Sequence, residues 1–343
     1  MVKILIAILI FGFLILIHEF GHYIMARVFK VGINEFSIGM GPKLLQKKSK
    51  KTGIAYTLRL LPIGGFVSME GEDEESESEN SYSAKPIWQR FLISVAGAVM
   101  NILVGVILTC IIVGRLEAFA STEISSFVEN APSQAAGLCE GDVIVKIGKT
   151  KVHTYYDLSY TITHDAVGKT DITVVRDGER VVIRDVEFGT VSENGVTFAE
   201  RDFYLCRENK TFGNTVKHAF WQSVTSVRMI WDSLVDLVTG KYGVEAMSGP
   251  VGITSEIGAA VEAGDGGVYL LSLTALIALN LGVFNLLPIP VLDGGCILFM
   301  LIEFIRRKPL KRETEAVLKL ITFALLMLLM LFVTLQDVAK LIN

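Results

Sequence analysis

The chain has 343 residues, 51% of them hydrophobic, a formal net charge of −4 and four cysteines. Its mean hydropathy of +0.50 excludes an ordinary soluble domain and calls for spans of about 20 apolar residues. No basic patch interleaved with aromatics accompanies the acidic balance, which excludes a nucleic-acid partner.

In chain order, residues 1–27 form the first predicted transmembrane helix, with an apolar stretch at roughly 3–26 that carries "HEFGH". A cleaved signal peptide is the rival reading, since residues 4–17 are long enough for its apolar core. No small-x-small cleavage site follows, and apolar character continues through Tyr23, Ile24 and Met25, so a retained helix is expected. Residues 28–89 form a loop in which "INEFSIGMGPKLL" and "GIAYTLRLLPIGGFVSM" read as strands joined around "KKSKKTG". Their apolar content predicts a membrane-associated β-element, tolerable where protein or a water-filled cavity satisfies the backbone. The acidic run "GEDEESESEN" reads as a solvated, disordered linker.

A second span follows at 90–115, then an outer segment at 116–208 of soluble composition. There "DVIVKIG", "TDITVVRDGERVVIRDVEF" and "GVTFAE" read as strands, with a hairpin turn at Asp177-Gly178, and "TYYDLSYTITHD" reads as a short helix. Residues 209–267 hold an amphipathic helix and "SGPVG". Phe220, Val224, Val227, Ile230, Trp231 and Leu234 share one helical face, suited to the membrane surface, to packing on the spans, or to an ordinary core. The third span and an "LDGG" turn occupy 268–298; a basic loop and the fourth span occupy 299–343. The fold class is thus a polytopic α-helical membrane protein with four transmembrane helices, a membrane-associated β-element and one inserted extracytoplasmic β-rich domain.

Lysines 43, 47, 48, 50 and 51 crowd the first loop, and Arg306, Arg307, Lys308, Lys311 and Arg312 crowd the last. The positive-inside rule makes both loops cytoplasmic and puts the two chain ends and the inserted segment outside. Cys110 and Cys296 fall in or near spans, and Cys139 and Cys206 in the outer segment, where a disulfide is an alternative; their spacing matches no zinc pattern, and all four are expected to be unpaired.

The charged groups within the first span carry the functional reading, because ionisable residues in a membrane helix persist with a partner or a function. Residues i and i+4 differ by about 40° around a helix, so His18 and His22 can offer ring nitrogens to one metal. Glu19 points about 100° away from His18, within reach of a water on that metal, which is the "HExxH" arrangement with glutamate as general base. Zinc requires a third protein ligand and an open position. Asp293 is the candidate, because Pro288 and Pro290 end the third span and the topology brings its end to the same membrane side as the histidines. It is expected on irregular backbone. Asn280 and Asn285 lie within the same apolar stretch, where their amides would hold an extended substrate backbone or bond between helices.

"HEFGH", "NLLPIPVLDGG" and "SGPVG" together resemble the site-2 protease family of intramembrane zinc metalloproteases. The layout is similar to the bacterial regulator-of-sigma-factor type, with four spans and an inserted PDZ domain. The resemblance implies zinc held by His18, His22 and Asp293, catalysis by Glu19, and substrate binding by Asn280, Asn285, Gly64 and Gly65, the glycines lying in "LRLLPIGGFVSM". Cys296 departs from the pattern at a place where many relatives have histidine. "SSFVENAPSQAAGLCEGDVIVKIGKTKV" resembles bacterial PDZ sequences, which bind chain ends or extended segments by strand addition; a rigid β-rich spacer is the alternative. The implied partners are the lipid bilayer and single-span membrane proteins, such as an anti-sigma factor or a remnant signal peptide, cut after an earlier extracytoplasmic cleavage. Two other classes remain open at this point: a membrane metal transporter, and a non-catalytic PDZ-bearing scaffold.

Overall fold

The computed structural model describes residues 2–72, 76, 78–193, 196–241, 243, 249–262 and 266–342. Residues 73–75 and 77 of the acidic run and residue 248 of "SGPVG" therefore lie outside the described residues. The chain divides into two compact units, residues 1–105 with 248–343, and residues 106–247.

In the first unit, as expected, long apolar helices dominate. Helices α1 (Val2–Val28), α2 (Ile87–Arg115, which continues into the second unit), α7 (Gly266–Asn285) and α9 (Arg312–Ile342) are long and apolar enough to cross a membrane. Small residues let three of them approach closely, as helices in lipid require. A Cβ on Gly21 of α1 would meet the Ala96 carbonyl of α2, and one on Gly282 of α7 would lie 2.9 Å from the Ala98 carbonyl of α2. Between α1 and α7, Leu14 packs with Ile277 and Ala278.

Strands β1 (Ile33–Lys48) and β2 (Ala55–Met69) form a long antiparallel hairpin, as the sequence predicted, packed against α1. It curls enough that Phe36 is a ladder neighbour of both Val67 and Tyr56. Ile33, Phe36, Val67 and Met69 share a core with Ala26 of α1 and Ile93 of α2. The described part of the acidic run is tied down at its far end, where Gly32 N donates to Asn80 O (2.9 Å) and Tyr82 N to Glu70 O (2.7 Å).

In this unit two helices go beyond the predicted elements, α6 (Pro250–Glu262), packed on α1, α7 and α9, and α8 (Asp293–Arg306), and in the second unit the single turn α3 (Pro132–Ala135) does so too. Asp293 is the first residue of α8, with Leu292 as its N-cap, and does not lie on irregular backbone. The prolines act as expected in ending α7, but the glycines of "LDGG" serve close approach. A Cβ on Gly294 would run into the Leu287 carbonyl, and one on Gly295 into the Ile289 carbonyl, so the elbow between α7 and α8 folds back onto the first turn of α8. At the other end of α8, Glu303 accepts two hydrogen bonds from Arg90 of α2 (2.6 and 3.0 Å).

The second unit has a sheet of order β10-β3-β4-β6-β7, with β5 paired to β4, and a separate β8-β9 pair. The strands are β3 (Ala118–Phe127), β4 (Val143–Ile147), β5 (Thr150–Lys151), β6 (Thr170–Arg176), β7 (Glu179–Val186), β8 (Gly189–Glu193), β9 (Val196–Glu200) and β10 (Phe203–Asn209). Asp177 and Gly178 turn the β6-β7 hairpin with φ of 51° and 84°, the double positive φ of a tight hairpin turn. Ile124, Ile144, Ile172 and Val174 on the sheet pack against Leu158 and Ile162 of α4 (Tyr155–Asp165).

Helix α5 (Phe212–Thr239) follows, with Thr211 as its N-cap and Gly240 in the left-handed conformation at its end. Its predicted face is divided: Ile230 is buried, whereas Phe220, Val224 and Trp231 are exposed. With Phe212, Val216, Val235 and Val238 these make an exposed apolar stripe at helical spacing. Lys210, just before α5, donates to the Gly114 carbonyl at the end of α2 (2.6 Å). On the α4 side, His164 sits 2.6 Å from Asp165 and 2.7 Å from Asp236, and Arg228 also bonds Asp165. All four cysteines are free, as expected.

Candidate metal centre

Helical spacing fixes the first two groups. His18 and His22, one turn apart on α1, are both buried, and their Nε2 atoms are 3.2 Å from each other. Asp293, on the first turn of α8, brings its Oδ2 to 3.0 Å from His18 Nε2 and 3.4 Å from His22 Nε2. Among the described residues these three form the one group of histidine, cysteine or acidic side chains whose ligand atoms converge on a common point, all within 4.8 Å.

The donor set fits zinc. His22 Nδ1 lies 2.8 Å from the Ile93 carbonyl, which can only accept, so Nδ1 carries the hydrogen and Nε2 presents a lone pair. Asp293 Oδ2 is buried without a hydrogen-bond partner. Its carboxylate oxygen thus faces the same point as the two imidazole Nε2 atoms. Two imidazole nitrogens and one carboxylate oxygen directed at one spot suit a tetrahedral dication with its fourth position open.

Glu19 borders the same cavity but is not part of the converging group. Its Oε2 accepts from Val67 N of β2 at 3.1 Å. The cavity, about 160 Å³, is lined by His18, Glu19, His22, Val67, Asp293 and Cys296, with others.

A family model described as "Peptidase family M50" matches residues 6–329. The chain belongs to this peptidase family, the site-2 proteases. The Bacillus subtilis protein named regulator of sigma-W protease RasP is 30% identical over 417 residues, covering 97% of this chain and 97% of its own length. The zinc metalloprotease RasP of Geobacillus kaustophilus is 30% identical over 415 residues, again with 97% of each chain covered. A Clostridium acetobutylicum protein with a provisional zinc-metalloprotease name is 37% identical over 350 residues, covering 99% of this chain and 98% of its own length. The resemblance read from these motifs is borne out at the level of the family.

In this M50 peptidase the predicted residues do not all meet at one place. His18, Glu19, His22 and Asp293 share the cavity. Gly65 is adjacent to it, since a Cβ there would lie 3.6 Å from Glu19 Cγ and 2.7 Å from the Ser37 carbonyl, whereas a Cβ on Gly64 would meet Met40. Asn280 and Asn285 are half-buried on α7 and do not line the cavity. Cys296 does line it, one helical turn beyond Asp293, and burial pushes its thiol up to about 11, so it is a neutral wall.

Sequence reasoning missed the contribution of α2. Ile93, Gly97 and Asn101 recur every four residues and share one face of that helix. Ile93 accepts from His22, Asn101 lies 3.3 Å from His18 Nδ1, and a Cβ on Gly97 would lie 2.7 Å from His18 Cε1 and press on His22 Nε2. The four-residue spacing is the signal that was present; without knowing that this face meets the histidines, it reads as ordinary helix packing.

Proposed function

We propose that the chain is a zinc-dependent intramembrane endopeptidase that hydrolyses a peptide bond within or near the transmembrane segment of single-span membrane proteins. The observation that carries this reading is the convergence of His18, His22 and Asp293 beside Glu19 in one cavity among apolar helices. Zinc bound by these three side chains supplies Lewis acidity to a carbonyl and makes a water more acidic. Relatives named zinc metalloproteases support that choice of metal. A transporter would need ligands along a route, and the described residues hold a single converging group.

In this reading Glu19 takes the proton of the attacking water and passes it to the leaving amine. Val67 N–H orients the Glu19 carboxylate meanwhile. A substrate helix must unwind, because its carbonyls are otherwise engaged in hydrogen bonds. The Gly64-Gly65 stretch of β2 runs beside Glu19 and would offer its backbone to the unwound strand, and Asn280 and Asn285 would hold flanking backbone. The basic loops support a site that faces the cytoplasm, and on that reading the second unit would be an extracytoplasmic PDZ-like module that receives chain ends after a first extracytoplasmic cut. The name of the Bacillus subtilis relative supports an anti-sigma factor as substrate, and remnant signal peptides share its single-span form. On α5, the exposed apolar stripe faces lipid: Lys210 pins the start of the helix to the end of the α2 span, at the level of the membrane surface.

The test is Glu19→Gln in purified protein, with bound zinc and cleavage of a single-span substrate measured together. Zinc stays near one per chain, and cleavage falls by about 10²-fold or more. Continued cleavage would remove Glu19 from the role of base.

A further inference from the structure

A histidine that gives Nε2 to a metal must carry its hydrogen on Nδ1, and a buried N–H requires an acceptor. For His22 the Ile93 carbonyl is that acceptor. For His18 the group within reach is the side-chain amide of Asn101, 3.3 Å from Nδ1 and wholly buried. In the arrangement found, the amide nitrogen faces the ring, and Asn101 Oδ1 is buried without a partner. Two defects thus adjoin: a donor group aimed at an atom that must itself donate, and an acceptor with nothing to accept. Turning the amide by 180° about its last torsion exchanges oxygen and nitrogen nearly in place and resolves the contact with His18. Asn101 Oδ1 then accepts from His18 Nδ1–H, and His18 Nε2 presents a lone pair beside that of His22.

We infer that Asn101 is a positioning residue, acting as hydrogen-bond acceptor to His18 Nδ1 and so setting the ring tautomer that allows His18 to bind the metal. This rests on the zinc site proposed above. On this assignment one face of α2 governs both imidazoles: Ile93 orients His22, Asn101 orients His18, and Gly97 between them leaves room for the rings. A purely packing role for Asn101 would be met by any side chain of its shape. An acceptor role would not.

The experiment measures zinc affinity of the full-length protein in detergent, by competition with a chelator of known affinity, for wild type, Asn101→Leu and Asn101→Asp. Cobalt(II) absorption in each variant reads the ligand field independently of cleavage. Leucine keeps the approximate size but accepts nothing, and zinc binds about 10- to 100-fold more weakly. Aspartate only accepts, and zinc binds at least as tightly as in wild type with a tetrahedral cobalt spectrum. Equal affinity in wild type and the leucine variant overturns the assignment to Asn101 and leaves the metal site standing. Weakening in the aspartate variant as large as in leucine also overturns it, by showing that the amide donates. Should the leucine variant fail to fold, the aspartate variant decides against wild type: affinity at least equal to wild type upholds the assignment, and weaker binding overturns it. A wild-type protein that binds neither zinc nor cobalt overturns the metal reading and this inference together.

Discussion

Gly97 is where a single methyl group matters most. Alanine is the better helix former by about 1 kcal/mol, so Gly97→Ala would favour α2 taken alone. Its Cβ, however, would stand 2.8 Å from His18 Nε2, too close for both imidazoles to keep their aim. Metal analysis of Gly97→Ala should find zinc well below one per chain, and cleavage reduced in parallel; full zinc would mean that the rings can turn aside. The histidine pair was legible because its geometry is local: four residues along one helix fix the spacing of two side chains whatever else the chain does. Asp293 was legible through topology, as proline marks the end of a span and charge marks its side. Gly97 and Asn101 were not, since a glycine and an asparagine in an apolar run carry no sign of which neighbour their face meets.

Elements show the same division. The β1-β2 hairpin, the β6-β7 hairpin and α4 follow from alternation, turn residues and helical spacing, each contained in a short window. Helix α8 escaped because "PIPVLDGGC" was read through its breakers, and glycine in a turn looks the same as glycine under a crossing backbone. The two meanings separate on substitution. Gly294 has no positive φ to preserve, so a turn-former could be replaced without loss, whereas a Cβ here meets the Leu286 and Leu287 carbonyls, which cannot swing away as a side chain can. Gly294→Ala should therefore cost about 1–3 kcal/mol, visible as a lowered melting temperature, with zinc affinity falling because Asp293 moves with the elbow. Strand β3 was missed for another reason: "AFASTEISSF" alternates weakly, and it gains its place from pairing with β10, some 80 residues on.

The whole molecule meets two solvents. A variant retaining Trp231 as sole tryptophan, with Trp88 and Trp221 replaced by phenylalanine, should lose fluorescence in vesicles of brominated lipid if α5 lies on the bilayer; unquenched emission would put its stripe elsewhere. In water, the α4–α5 contact depends on acids. Burial works to raise Asp165 and Asp236, yet His164, with Arg228 or Lys241, holds both below the usual carboxylate range. A carboxyl depressed on folding contributes stability that is complete above its unfolded value of about 3.9 and is lost as pH falls through the folded one. Trp221, stacked on His153 at 3.5 Å, should report that loss as an emission change confined to pH below about 4, diminished in Asp236→Asn. Finally, the chamber beside Glu19 holds about 160 Å³, whereas sites that enclose a ligand run to roughly 300–1,000 Å³. On the proposed reading, a chamber of this size would admit a water and the peptide group to be cut but not a helix roughly 10–12 Å across, so access as well as affinity would select the substrate.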